Sequence, residues 1–138
     1  MKNLARYKEK VNARNIMVQA MYQLSFGHNT AKEIEDSFVK EFTKTKVDYI
    51  FFKNIFKYTV KNNDALKERI YTKSDLELFG IKKIDVMEEN ILMLILSEHE
   101  LDQTPKNILI DEAVRLSKKF GADNAYKFVN ATLDTLLR

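Results

Sequence analysis

No cysteine occurs among the 138 residues, which excludes disulfides, thiolate metal sites and cysteine nucleophiles. There is one proline and there are three glycines, too few for the turn-rich connections of a β-sandwich or barrel. Histidine occurs twice, at His28 and His99, with no metal-ligand spacing between them. No P-loop is present, and no glycine-rich dinucleotide turn; the only G-A-D-N segment has one glycine and follows no strand pattern. No apolar run approaches the roughly 20 residues of a membrane span. The opening MKNLARYKEK lacks an apolar stretch of signal-peptide length. These absences leave no cofactor, no metal site, no catalytic residue and no membrane role to expect. A soluble, cytoplasmic, non-enzymatic protein is the expectation.

What is present is helical periodicity in one domain, residues 1–138. A first helix is expected over about 8–26, with Ala13, Ile16, Met17, Ala20, Met21 and Leu24 on one face. Thr30 and Glu33 have capping-box spacing before Ile34, Phe38 and Phe42, and residues 43–46 read as a connection. The aromatic run DYIFFKNIFKYTV has strand propensity but also a wide helical stripe, and a central helix is expected. After Asn62 and Asn63 comes a short helix bearing Leu66 and Ile70. Ser74 with Glu77, and Asp85 with Glu88, offer two further capping boxes, the first before a brief helical turn ending at Gly80. Behind the second lies ILMLILS, apolar on all sides and rich in leucine and methionine; residues 86 to about 99 are expected to be the most buried helix.

Two helices close the chain. Thr104 is the expected cap of the first, with Pro105 at its first position. Ile110, Ala113, Val114 and Ser117 form its expected inward stripe, and Gly121 its left-handed stop. Asp123 is the expected cap of the second, which turns Ala125, Phe128, Val129, Thr132, Leu133 and Leu136 inward. The fold class is all-α, about seven helices.

Charge is unevenly placed. Through residue 32 there are six basic residues against one acid, Glu9, so the remainder of this +3 chain carries a net −2. A basic segment over about residues 1–14 points to an anionic partner, or to a solvated tail. The turn between the closing helices combines Lys118, Lys119 and Lys127 with Phe120, Phe128, Asn124 and Asn130. Lysines at a helix N-terminus attract phosphate, while exposed rings and amides stack on or pair with unstacked bases. On pattern alone, the commoner reading is Phe128 as core and Lys127 as surface.

Two segments carry a family resemblance. I-D-E-A-V-R-L-S-K-K-F-G-A-D-N-A-Y-K-F-V-N-A-T-L-D (110–134) and A-R-N-I-M-V-Q-A-M-Y (13–22) resemble the signatures of the NusB family of transcription antitermination factors. The resemblance implies two packed three-helix subbundles. It implies a non-enzymatic protein that binds boxA, a single-stranded RNA element, together with NusE, a small-subunit ribosomal protein. The pair would assemble with RNA polymerase and other Nus factors in support of ribosomal RNA transcription. By position, Arg14 matches the family arginine, Lys127, Phe128 and Asn130 match K-F-V-N, and Lys8 and Lys10 lie in the basic run.

Departures are visible as well. Glu9 and Asn12 interrupt the lysines, and Ala131 stands where the family has glycine. In the buried helix the family's R-x-A-x-Y-E-L aligns with L-M-L-I-L-S-E, putting Ser97 at the acidic, partner-contacting position with Glu98 beside it. Two alternatives compete. One is the RNA-binding domain of a ribosomal RNA cytosine methyltransferase, whose cofactor fold and cysteines are missing here. The other is a helical interaction or dimerisation module with an incidental basic tail.

Overall fold

The computed structural model describes residues 4–41 and 46–138, and Phe42 and residues 43–45 of the expected connection lie outside them. Seven helices and no strand occur among the described residues: α1 (Leu4–Ser25), α2 (Ala31–Glu41), α3 (Tyr49–Lys61), α4 (Asn63–Lys73), α5 (Val86–Asp102), α6 (Lys106–Phe120) and α7 (Ala125–Leu136). None of them is long and apolar enough to cross a membrane.

Helices α1, α2 and α3 pack on one another, as do α5, α6 and α7. These are the two subbundles. The fourth helix docks on α5 and α7 and touches α3. α5 joins the groups by also packing on α1 and α3. Its residues from Glu88 to Glu98 are buried without interruption, because neighbours cover every side of the run that reads ILMLILS. α3 buries Phe51, Phe52, Ile55, Phe56 and Thr59 rather than a stripe starting at Tyr49. Phe52 and Phe56 stack with centroids 5.6 Å apart.

The Thr30–Glu33 capping box forms in both directions: Thr30 N donates to Glu33 (2.9 Å) and Glu33 N to Thr30 Oγ1 (3.1 Å). The other expected caps do not. Residues 76–80 make a turn without a helix, closed by Leu78 N on Asp75 Oδ1 and by Gly80 at φ +65°. Asp85 precedes α5 but accepts no capping bond. Pro105, not Thr104, sits at the cap position of α6, because Thr104 Oγ1 is engaged with Glu98 Oε2 at 2.8 Å. Asn124, not Asp123, precedes α7, at φ +66° and with no side-chain cap. The α6 stripe is rotated from the expected one: Leu109, Glu112, Ala113, Leu116 and Ser117 are buried, and Ile110 and Val114 only partly so.

Candidate nucleic-acid interface

Two basic places stand apart on this scaffold. At the start of α1, Lys8 is exposed. Lys10 is half-buried, over the Phe51 ring (5.0 Å) and 3.7 Å from Asp102 Oδ2. Asn12 donates to Lys46 O (2.8 Å), and Asp48 N to Glu9 O (3.3 Å), which pins the segment before α3 against α1.

Arg14 is placed differently from the expected phosphate contact. It is 5 % exposed. Its Nε and Nη2 grip both oxygens of Glu98 (2.8 and 2.7 Å), and Nη1 donates to Glu112 Oε1 (2.7 Å). The physical reason is its position among Ala13, Ile16 and Met17 on the apolar face of α1, where a cation must find buried counter-charge. Arg115 completes the cluster, with Nε on Glu112 Oε2 (2.6 Å) and Nη1 on Asn15 Oδ1 (2.7 Å). Burial pushes the Glu112 carboxyl up, but Arg115 and Arg14 outweigh it and hold the group below the usual carboxylate range. Glu112 carried no expected role; an acid in register with Leu109, Ala113 and Leu116 was the available signal.

The expected partner-contact pair is also internal. Ser97 is fully buried, its hydroxyl donating to Met93 O (2.8 Å) and accepting from Thr59 Oγ1 (2.7 Å). Glu98 rather than Ser97 meets the family-matching arginine. Both Glu98 oxygens are engaged, by Arg14 and by Thr104, so Glu98 presents no free carboxylate to a partner.

The second basic place is the turn from α6 to α7. Lys118 and Lys119 end α6 in the open, Lys118 lying over the Tyr126 ring (4.6 Å) and Lys119 over Phe120 (5.6 Å). Phe120 is partly buried; Asn124, Lys127 and Asn130 are exposed. Phe128 is 3 % exposed and meets Phe79 edge-on at 5.5 Å, so its ring is not offered to a base. With no side-chain cap, α7 begins with its positive dipole end facing these groups.

Gly121 makes the turn, though not by a left-handed conformation: its φ is −91°. Space is the requirement. A Cβ here would collide with Glu88 Oε1 and lie 2.8 Å from the Ser117 carbonyl oxygen. Glu88, which the sequence suggested as a capping-box member, reaches across instead to accept from Ala122 N (3.1 Å). Its burial pushes that carboxyl above the usual range. Gly121→Ala is expected to cost roughly 1–3 kcal/mol by overpacking, read as a lowered urea midpoint at unchanged slope. A variant as stable as the parent would show that this approach is not tight.

The two basic places do not converge. No Cα of α1 comes within 8 Å of one in α7. Lys10 meets the end of α5 at Asp102 and the α6–α7 turn meets its start at Glu88, about 21 Å apart along the helix at ~1.5 Å per residue.

Comparison with known proteins decides the family. The NusB family model matches residues 11–138. The chain belongs to the NusB family. Among NusB relatives, the transcription antitermination protein NusB of Pasteurella multocida is 36% identical over 124 residues, covering 88% of this chain and 83% of that protein. The NusB protein of Shewanella amazonensis is 31% identical over 130 residues, covering 94% and 95%. The structure of T. maritima NusB superposes with a TM-score of 0.72 at 22% identity, over 90% of this chain and 87% of that one, which shows the shared fold. NusB is a family of transcription antitermination factors, not of enzymes. Among the described residues no group of three or more histidines or acids could hold a metal ion.

Proposed function

We propose that this NusB-family chain works in the cytoplasm as an antitermination factor that binds boxA-type single-stranded RNA together with NusE. The pair would load onto RNA polymerase with other Nus factors and support ribosomal RNA transcription. The observation that carries this is the uncapped start of α7, ringed by exposed Lys118, Lys119, Lys127, Asn124 and Asn130 within the segment that matches the family pattern. Cations and a helix N-terminus take phosphates, and amides read base edges. Phe120, partly buried, is a ring at this turn on which a base can stack. Lys8 and Lys10 form a second phosphate surface, so one strand held at both places, or at one place and on NusE, binds better than through either alone. Arg14, Phe128, Ser97 and Glu98 serve from inside by fixing these surfaces.

The test is fluorescence anisotropy with boxA and scrambled RNA, with and without NusE. Tighter binding of boxA in the presence of NusE is expected. Lys127→Ala should weaken both RNAs alike and reduce the salt slope by roughly one unit or less. Equal affinity for boxA and scrambled RNA with NusE present would overturn the proposal and favour a helical interaction module with an incidental basic tail.

A further inference from the structure

Beside the α6–α7 turn lies a cavity of about 430 Å³, bounded by the loop from Gly80 to Asp85, the first turn of α5 and the start of α7. Ile81, Ile84, Ala125 and Phe128 give it apolar walls, and Glu88 contributes a carboxylate. Glu88 is 3 % exposed, and its Oε1 is fixed by Ala122 N. Lys82 and Lys83 stand exposed on the loop that forms the rim.

We propose that this cavity is a base pocket that selects guanine. The inference rests on the RNA-binding reading above and adds to it the base that is read. A carboxylate only accepts hydrogen bonds, and it has about four lone-pair positions, of which Ala122 uses one. Guanine sets two donors side by side on its Watson–Crick edge, N1–H and the 2-amino group. Adenine and cytosine pair one donor with a neighbouring acceptor, and uracil holds one donor between two acceptors. Only guanine therefore meets a fixed carboxylate without opposing an acceptor to it. Ile81 and Ala125, partly exposed on the cavity wall, are the apolar groups a base can lie against, as in other pockets that take an unstacked base. Asp85, also on the cavity wall, adds negative charge that leaves phosphate contacts to Lys82 and Lys83.

The experiment uses short uridine-rich RNAs with one central guanine, inosine or adenine, titrated against the full chain. Inosine lacks the 2-amino group. The wild type is expected to bind guanine roughly tenfold more tightly than inosine or adenine. Glu88→Gln keeps an acceptor for Ala122 but turns an amide N–H₂ toward the pocket, so its guanine-to-inosine ratio should fall to near one at an unchanged melting temperature. Lys82→Glu should weaken all three RNAs and keep the ratio. Equal wild-type binding of guanine and inosine overturns the pocket, whether or not Glu88→Gln folds. If boxA is still preferred over scrambled RNA in that case, the antitermination reading stands without the pocket. If boxA is not preferred either, both fall.

Discussion

Arg14→Ala should destabilise the fold by about 3–5 kcal/mol, the range for removing one partner of a buried ion pair. The loss comes less from the missing contacts than from what stays behind. Glu98 and Glu112 are both almost fully buried, and without the guanidinium two carboxylates stay in the protein interior with only Arg115 and Thr104 to compensate. Urea unfolding followed by circular dichroism measures the effect, and a loss under about 1 kcal/mol would show that the cluster relaxes or admits water. The pH dependence carries a sign. Glu112 is depressed in the folded state, first against burial and then through Arg115 and Arg14. Its contribution is present above the unfolded carboxyl value of about 4.3 and is lost as pH falls through the lower folded value. Through Glu112 the wild type therefore loses stability as the pH falls. Arg14→Ala should respond in the opposite direction, gaining stability on mild acidification as the stranded carboxylates take up protons.

Phe128→Ala should cost roughly 3–5 kcal/mol, because it empties a core site against Phe79. Any fall in RNA affinity should track the melting temperature and vanish under conditions where the variant is fully folded. Lys127→Ala gives the reciprocal pattern: stability within about 0.5 kcal/mol of the parent, as for an exposed side chain, with RNA binding weakened. Phe128→Ala that stays as stable as the parent while losing RNA would reverse the assignment and make its ring a stacking surface.

Periodicity was enough to place six of the seven helices closely and to mark ILMLILS as the most buried run, because those signals are local and redundant. The start of α1, four residues earlier than expected, follows from weak amphipathic contrast at that exposed end. The site residues were harder for one physical reason. A sequence states that Arg14, Glu88 and Phe128 are charged or aromatic, but not which residue across the fold competes for them. By pattern Arg14 is a phosphate ligand; in the fold Glu98 and Glu112, distant in the chain, claim all three of its guanidinium nitrogens. Glu88 had capping-box spacing to Asp85, yet its carboxylate is used by Ala122 across the α6–α7 turn. The left-handed stop expected at Gly121 does not form; its φ is −91°, and what excludes a side chain there is the closeness of Glu88 and of the Ser117 carbonyl. Lys118, Lys119 and Lys127 compete with nothing inside the fold, and there the sequence and the structure agree on exposure.

The position of α5 has a consequence for how the molecule opens and how it is made. Every helix except α2 leans on it. Its amide protons should therefore exchange with solvent only when the whole molecule unfolds, while α2 and the loop at 74–85 exchange through local openings. During synthesis, α1 and α3 leave the ribosome with the surfaces that α5 will cover still bare, and they stay so until residue 102 has emerged. A nascent chain stopped at the end of α4 is then an open, chaperone-binding fragment; α5 covers the first bundle as it emerges, and α6 and α7 must follow before the second is built and the two become one cooperative unit.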